Sequence, residues 1–392
     1  MYVSLRANLN KSYFTNRQDR YLYFASQKDL AHYCLEFIQT VTTFSYKLLP
    51  ASPNLTSHHP TFNPHTYTYE DYTLHWLNPD THPHYINALA ESALSQFQKC
   101  HRERLAQSFP TTTPPPTENA FLVPIIQAGQ FNIREEEMTF KLLFRLLGRM
   151  SIKRRPLLDL TSGYFSLYTP YQNLILNATN LDCRIVASSP KVCSSTSTEA
   201  FLSLINMKAN GFFGSKGISG RIPEGYTLYE QRFMSAVEKA GRLWSGLSPA
   251  AGQGVLLNEW ERPGWTYHAK GTTNSCRITA KPQIASDLIS LGIWLSPNSS
   301  TPPVLTLFGS TNLNSRSAHI DTELSFLIII PSEGEPSSTE PSDSATSPLL
   351  SLRQDLFREI KRIRANSGEW HGGHRKVRWT TKFIVWLVKG ML

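Results

Sequence analysis

His268-Ala269-Lys270 lies in an apolar and aromatic stretch that predicts a strand over 265–270. Side chains at i and i+2 of a strand share a face, so the imidazole and the ammonium would point the same way. An imidazole beside a fixed cation that binds phosphate is a sensible phosphoryl-transfer pair. The ring attacks phosphorus or protonates a leaving oxygen, and the lysine neutralises the phosphate. The same three residues also describe a surface strand with two polar side chains. Gly309-Ser310-Thr311-Asn312 follows a second apolar strand, and its hydroxyl, amide and backbone donors could hold phosphate oxygens. Taken alone, it is a turn.

One short repeat links the two ends of the chain. Asn8-Leu9-Asn10 recurs as Asn312-Leu313-Asn314, and eleven residues beyond each first asparagine stands a carboxylate, Asp19 or Glu323. Both carboxylates precede a hydrophobic strand. The repeat suggests two similar halves, each contributing one edge of a shared site. The glycine-rich Gly211–Gly217 is not a Walker A loop, because Ser215 separates Gly214 from Lys216. A phosphate loop carrying Lys216, or an ordinary turn, remain as its readings.

The elements that must position these residues alternate between strand and helix. Strands are predicted at 21–24, 121–126, 157–160, 183–187, 254–260, 265–270, 304–308 and 324–330. Helices are predicted from Leu30 to Phe44 and over 88–105, 135–147, 170–178, 199–208 and 231–243. A further apolar stripe runs through Leu349, Leu352, Leu356, Ile360 and Ile363. That alternation means an α/β fold. Residues 50–84 are rich in Pro, His and Asn and read as a long loop or partly ordered excursion, a disordered insertion in the first half. Residues 108–119 read as a proline-rich linker. Six of the twelve histidines fall in 58–84 at spacings that fit no metal template, so no metal is expected.

Composition limits what this chemistry can serve. At 392 residues, 40% hydrophobic and a mean hydropathy of −0.29, the chain can bury a core but is no polytopic membrane protein. Its five scattered cysteines contain no CxxC pair, which fits a reducing compartment. The net charge of +9 is uneven: residues 353–392 hold ten Lys/Arg against three acids, whereas 332–348 hold four acids and no base. The basic end calls for an anionic partner. Arg375, Lys376, Arg378, Lys382 and Lys389 interleave with Trp379, Phe383, Trp386 and Leu387. That pattern suits an anionic membrane surface as well as a helix packed on the core. No presequence is visible in MYVSLRANLN.

His-x-Lys followed by Gly-Ser-x-Asn resembles the phospholipase D superfamily. Longer stretches narrow the resemblance: YFTNRQDRY (13–21), IIQAGQFNI (125–133), LTSGYF (160–165), ANGFFGSKGISGRIP (209–223), GWTYHAKG (264–271) and LTLFGSTN with the Arg316-Ser317 and Asp321/Glu323 positions that follow it (305–323). Together they are similar to the eukaryotic phosphatidylglycerophosphate synthases, over most of the chain outside 50–119 and 332–348. The resemblance implies a bilobal α/β fold of two pseudo-symmetric halves, with mixed sheets flanked by helices and two His-x-Lys motifs meeting at a pseudo-dyad. The halves would be 1–119, truncated at its N-terminus, and 120–331. An acidic linker at 332–348 and a basic amphipathic helical region at 349–392 would follow.

The implied reaction transfers a phosphatidyl group from CDP-diacylglycerol to glycerol-3-phosphate, releasing CMP, without metal or cofactor and without nucleic acid. One histidine would carry a phosphatidyl intermediate; the other would act as acid, then as base. Residue by residue, the resemblance makes His268 the second-motif histidine and Lys270 its phosphate cation. It makes Ser310 and Asn312 oxyanion-side donors and Asp19 and Glu323 the carboxylates that orient the two histidines. Asn8 belongs to the first motif, and Arg316 and Lys216 are further phosphate contacts. The implied location is the mitochondrial inner membrane. The alternatives are another phosphodiesterase of the superfamily or a non-catalytic fragment.

This sequence departs from the pattern in three places. Ser275 stands where the superfamily has aspartate, five residues after Lys270. The chain opens at the tail of the first motif, without its His-x-Lys, which predicts little activity for residues 1–392. Residues 272–292 separate Gly271 from Ile293-Trp294-Leu295, the apolar continuation that the pattern expects directly after it. That segment is therefore expected to be a retained intron or gene-model error, with a genuine surface loop as the alternative, since lengthening a loop costs only about 0.6 kcal/mol per doubling.

Overall fold

The computed structural model describes residues 2–5, 17–18, 22–50, 65–108, 119–149, 155–190, 221–248, 251–262, 266–267, 276–278, 292–331 and 348–388. The chain divides into two compact units, one of residues 1–3, 26–116 and 128–133, the other of residues 4–25, 117–127 and 134–392.

The first unit is built on two helices and a small antiparallel sheet. Helix α1 (Lys28–Thr42) and helix α2 (Asn87–Ser108) meet through Tyr33 and Phe97, whose ring centroids are 5.0 Å apart, and through an Arg104–Glu36 ion pair. Strands β4 (Tyr46–Pro50), β5 (Tyr67–Thr68) and β6 (Tyr72–Trp76) form a sheet in the order β4-β6-β5. Trp76 is buried, and its indole N–H donates to the Thr81 carbonyl at 2.7 Å. This corrects the reading of 50–84 as a disordered insertion. Residues 66–85 hold two strands and a 3-10 turn at Pro83–Tyr85, while 51–64 lie outside the described residues. Buried Trp76 supplies the apolar anchor that the surrounding Pro, His and Asn composition conceals.

The second unit centres on a nine-stranded mixed sheet. Its strands are β7 (Phe121–Ala128), β8 (Ile133–Arg134), β9 (Leu157–Ser162), β10 (Asp182–Ser188), β13 (Val255–Trp260), β16 (Gly292–Ser296), β17 (Leu305–Gly309), β18 (Glu323–Ile329) and β19 (Ser367–Glu369). They run in the order β19-β13-β10-β9-β16-β17-β18-β7-β8. The β9-β10-β13 core is parallel, and antiparallel pairing extends it through β16, β17, β18 and β7. Parallel strands are covered on both faces and so read as near-continuous apolar runs. β9 is buried at every position. Asp159 on β9 is tolerated there because the Arg184 guanidinium of β10 grips it through two nitrogens, at 2.8 and 2.5 Å.

Helices α3 (Glu135–Gly148), α4 (Thr169–Asn177), α5 (Arg221–Lys239), α6 (Ser315–His319), α7 (Pro348–Ala365) and α8 (Trp379–Leu387) complete the unit. α5 starts ten residues before the predicted 231. Pro223 and Gly225 read as breakers, yet proline is tolerated in a first helical turn, where its missing N–H has no partner to lose. The mixed α/β class and the large sheet flanked by helices are as the sequence predicts.

Smaller strands lie outside this sheet. β11 (Ser245–Ser248) pairs with β12 (Ala251–Gln253), and β1 (Tyr2–Leu5), β3 (Leu22–Ala25) and β15 (Cys276–Ile278) form a sheet in the order β1-β3-β15. β2 (Arg17–Gln18) pairs in parallel with β14 (Thr266–Tyr267), setting Tyr267 against Gln18. These are the positions just before His268 and Asp19. Of the segment 272–292, only Cys276–Ile278 and Gly292 are described, the former paired in parallel with Leu22–Phe24. The predicted helix at 199–208 lies outside the described residues.

Candidate functional site

The Gly309–Asn312 turn leaves β17 beside the first residues of β18, because Gly309 pairs with Ser325, two residues into that strand, in the antiparallel register. A Cβ on Gly309 would meet the Ser325 Cα at 2.4 Å, so only glycine permits this approach. The turn is then tied down residue by residue. Ser310 N–H donates to the Leu324 carbonyl at 3.1 Å, and the Ser310 hydroxyl accepts the Leu324 N–H at 3.0 Å. Leu313 takes a left-handed backbone conformation at φ 56°, held by its N–H donating to the Thr311 hydroxyl at 3.0 Å.

A proton-ordered chain runs through the corner. Asn312 N–H donates to the Ser317 hydroxyl at 3.0 Å, and that hydroxyl donates to Glu323 Oε1 at 2.9 Å. Asn314 caps α6 by accepting the Ser317 N–H at 2.8 Å, which fixes the serine rotamer's backbone. Asn312, Ser317 and Glu323 are all buried, and Asn312 Oδ1 finds no partner among the described residues. A buried, unpaired amide oxygen at the mouth of a turn needs an explanation. Donation from a group arriving at the site supplies one.

Behind the turn sits Glu136, which the sequence reading did not select. Its Oε1 accepts the Tyr171 hydroxyl at 2.9 Å and the Thr311 hydroxyl at 3.3 Å. Ile125, Phe140, Ile293 and Leu307 crowd the same crevice. Burial among them pushes the Glu136 carboxyl up to about 7, against the pull of its two hydroxyl donors and with help from nearby Glu323 and Glu137. Three glutamates at 135–137 look like an ordinary acidic first turn facing water. Two of them, Glu136 and Glu137, are buried instead. Glu137 holds Arg134 at 2.7 Å and faces Gln127, whose amide also donates to the Ala318 carbonyl at 2.8 Å.

Four predicted site residues are therefore in view. Asn312, Ser310 and Glu323 form one hydrogen-bonded corner. Arg316 lies on the surface of α6, paired with Asp321 at 3.0 Å and more than half exposed. Asn8, Asp19, Lys216, His268 and Lys270 lie outside the described residues. No group of three or more His, Cys, Asp or Glu among the described residues is arranged to hold a metal.

No protein-family model matches the chain. It is 28% identical over 330 residues, 82% of this chain and 46% of the relative, to a protein of Dictyostelium discoideum named probable CDP-diacylglycerol–glycerol-3-phosphate 3-phosphatidyltransferase. It is 26% identical over 409 residues, 98% of this chain and 57% of the relative, to the mitochondrial protein of that name from Homo sapiens. The chain thus spans about half the length of the curated relatives it matches. Among solved structures, phosphatidylserine synthase of Haemophilus influenzae Rd KW20 aligns with 76% of this chain and 52% of its own, at a TM-score of 0.42 and 15% identity. The motifs thus resemble the family that these proteins are named for, and over most of its length the chain is similar to proteins named CDP-diacylglycerol–glycerol-3-phosphate 3-phosphatidyltransferase.

Proposed function

We propose that this chain carries the second catalytic motif of an enzyme that transfers a phosphatidyl group from CDP-diacylglycerol to glycerol-3-phosphate. The observation that carries the reading is the Asn312–Ser317–Glu323 chain at the end of β17 and β18. It is a buried carboxylate and an unpaired amide oxygen held rigid at the turn that follows the His-x-Lys motif in sequence. In this reading Glu323 accepts the second ring N–H of His268, fixing its tautomer and favouring the imidazolium. Asp19 does the same for the first-motif histidine, to whose motif Asn8 belongs. Lys270, Lys216 and the turn's amides neutralise the phosphate, so no metal is needed. One histidine attacks the phosphatidyl phosphorus, forming the P–N bond as the P–O bond to CMP breaks and the second histidine protonates the departing CMP oxygen. That second histidine then removes the glycerol-3-phosphate hydroxyl proton as the alkoxide attacks and the P–N bond breaks.

The proposed location is the mitochondrial inner membrane, and the relatives named mitochondrial support the organelle. No helix among the described residues is long and apolar enough to cross a membrane. Radiolabelled CDP-diacylglycerol tests the reaction, using the full-length product of the transcript with and without glycerol-3-phosphate. The expected result is CMP and phosphatidylglycerophosphate only when glycerol-3-phosphate is present, with H268A lowering turnover by at least about a thousandfold. Equal CMP release in its absence, yielding phosphatidic acid, would make the enzyme a hydrolase instead. Sequencing the transcript across 272–292 decides whether that segment belongs to the protein.

A further inference from the structure

Helix α8 is fastened to the second unit by one face and left bare on the other. At 100° per residue, Thr381 and Val385 fall on one side, and both are buried. Glu224 of α5 secures that side: the Thr381 hydroxyl donates to Glu224 Oε2 at 2.6 Å, and Arg378 reaches Oε1 at 2.7 Å. The approach to α8 is held as firmly. The Trp370 indole donates to Glu230 Oε2 at 2.9 Å, and Gln231 donates to the Gly372 and Arg375 carbonyls at 2.7 and 2.9 Å.

The opposite side carries Trp379, Phe383, Trp386 and Leu387, at 77%, 55%, 65% and 67% exposure. Positions 379, 383, 386 and 387 span about 100° of the helix circumference, so they form one stripe. Phe383 and Trp386 stack on each other at 5.9 Å within it. Lys382 borders the stripe and is exposed, as is Lys376. Between α5 and the Trp370–Lys382 segment lies an open cleft of about 740 Å³, lined by Gln231, Glu238, Arg375, Lys376 and Lys382 among others. Residues 370–392 contain five Lys/Arg and no Asp or Glu. Arg375 and Arg378 are occupied by Glu259 and Glu224, whereas Lys376 and Lys382 face outward.

We infer that the Trp379–Leu387 stripe and the Lys376–Lys382 rim of the adjoining cleft form a docking surface for an anionic phospholipid bilayer. Charge selects that occupant. Two tryptophans, a phenylalanine and a leucine edged by lysines, with no acid in the segment, match an interface that is apolar below and negative above. Nine helical residues extend about 13 Å, too short to span, so the helix lies in the plane of the interface. Because its buried face is already fixed, the stripe is presented without an ordering cost.

Vesicle binding tests this without CDP-diacylglycerol or glycerol-3-phosphate, so it stands or falls apart from the transferase reading. The whole chain is mixed with phosphatidylcholine vesicles with and without phosphatidylserine, and binding is read by co-sedimentation and by quenching of tryptophan emission with brominated lipid. Binding at least tenfold tighter to the phosphatidylserine vesicles, weakening with salt and accompanied by quenching, is expected. W379S/F383S/W386S should lower binding at least tenfold with an unchanged thermal midpoint, and K376E/K382E should remove the preference for phosphatidylserine. Unquenched tryptophan in the unsubstituted chain would overturn the inference whatever the variants do. So would unchanged binding in the triple variant, no preference between the vesicles, or a dimer formed through this face in place of vesicle binding.

Discussion

Two groups of buried carboxylates among the described residues of the second unit are satisfied in different ways. At α5 and the C-terminal segment, Glu224 is met by Arg378 and Thr381, and Glu259 by both guanidinium nitrogens of Arg375. Burial pushes Glu224 up, but its two partners outweigh that and hold it below the ordinary carboxylate range. At the β17–β18 corner, the partners of Glu136 and Glu323 among the described residues are hydroxyls, from Tyr171, Thr311 and Ser317. Glu224 and Glu259 are thus each met by a guanidinium. No cation is among the described partners of Glu136 and Glu323, and burial there favours the protonated form of Glu136. One group is closed by ion pairs and the other by hydroxyls, and matched perturbations of the two should part accordingly.

The largest effect should come from opening the ion-paired cluster. R375A leaves Glu259 buried without its cation and should cost about 3–5 kcal/mol in chemical denaturation. The double variant E259Q/R375M should recover most of that, because the uncompensated charge is gone. A single-variant loss below about 1 kcal/mol would mean that water reaches Glu259, and the contrast between the clusters would fail.

A pH titration of stability should come next. Glu136 is raised from an ordinary 4.5 to about 7, so the folded state keeps a proton that the unfolded state releases. Its contribution is full below pH 4.5, declines as pH rises through 7, and is flat beyond. The decline amounts to about 3 kcal/mol. Burial likewise pushes Glu230 up to about 8, against the Trp370 N–H and with repulsion from Glu259. E136Q should remove the part of the decline that ends near pH 7, and E230Q the part that runs on to about 8. A profile that E136Q leaves unchanged would show the Glu136 carboxyl ionised in the fold.

Much of this architecture is legible before any coordinates, for reasons that also explain what is not. The buried parallel strands at 157–162 and 182–188 announce themselves as apolar runs, and α7 by its Leu349–Ile363 stripe. β6 is hidden because its one deeply buried aromatic, Trp76, sits among polar residues. Within the site, Asn312 and Glu323 are reached through motif and repeat. Glu136, Ser317 and Tyr171 are not, because their roles come from tertiary neighbours 35 to 175 residues away or from a helix cap, and no local pattern encodes those. Sequence likewise offers packed helix and membrane face as rivals for 379–387, whereas the buried side of α8 belongs to the first and its bare side matches the second.

Two glycines extend the contrast at smaller scale. Gly309 faces the Ser325 backbone so closely that G309A must move a strand, at a cost of about 1–3 kcal/mol. Gly225 of α5 would place a Cβ 3.5 Å from Val385 Cγ2, an ordinary contact. G225A should therefore be neutral or stabilise by about 0.5–1 kcal/mol through helix propensity. Thermal melts of the two variants give the comparison directly, and equal losses would mean the corner is no more tightly built than the helix junction.

The finest discrimination uses one substitution in both places. Thr381 donates to a carboxylate held ionised by Arg378, and Thr311 to a carboxyl that burial keeps protonated up to about pH 7. Hydrogen bonds to charged groups are worth roughly twice those between neutral ones. T381V should therefore cost about 2 kcal/mol near pH 6, and T311V about 1 kcal/mol, with part of the latter coming from the Leu313 N–H that loses its acceptor. The two should also differ in how they respond to pH. Losing the Thr311 hydroxyl removes a donor that favours ionised Glu136, so the stability decline in T311V should extend to higher pH. Losing the Thr381 hydroxyl leaves Arg378 in control of Glu224, and T381V should keep the unsubstituted profile above pH 5. Parallel profiles for the two variants would mean that Thr311 does not sense the charge on Glu136, and that the corner is fastened in the same way as the C-terminal cluster.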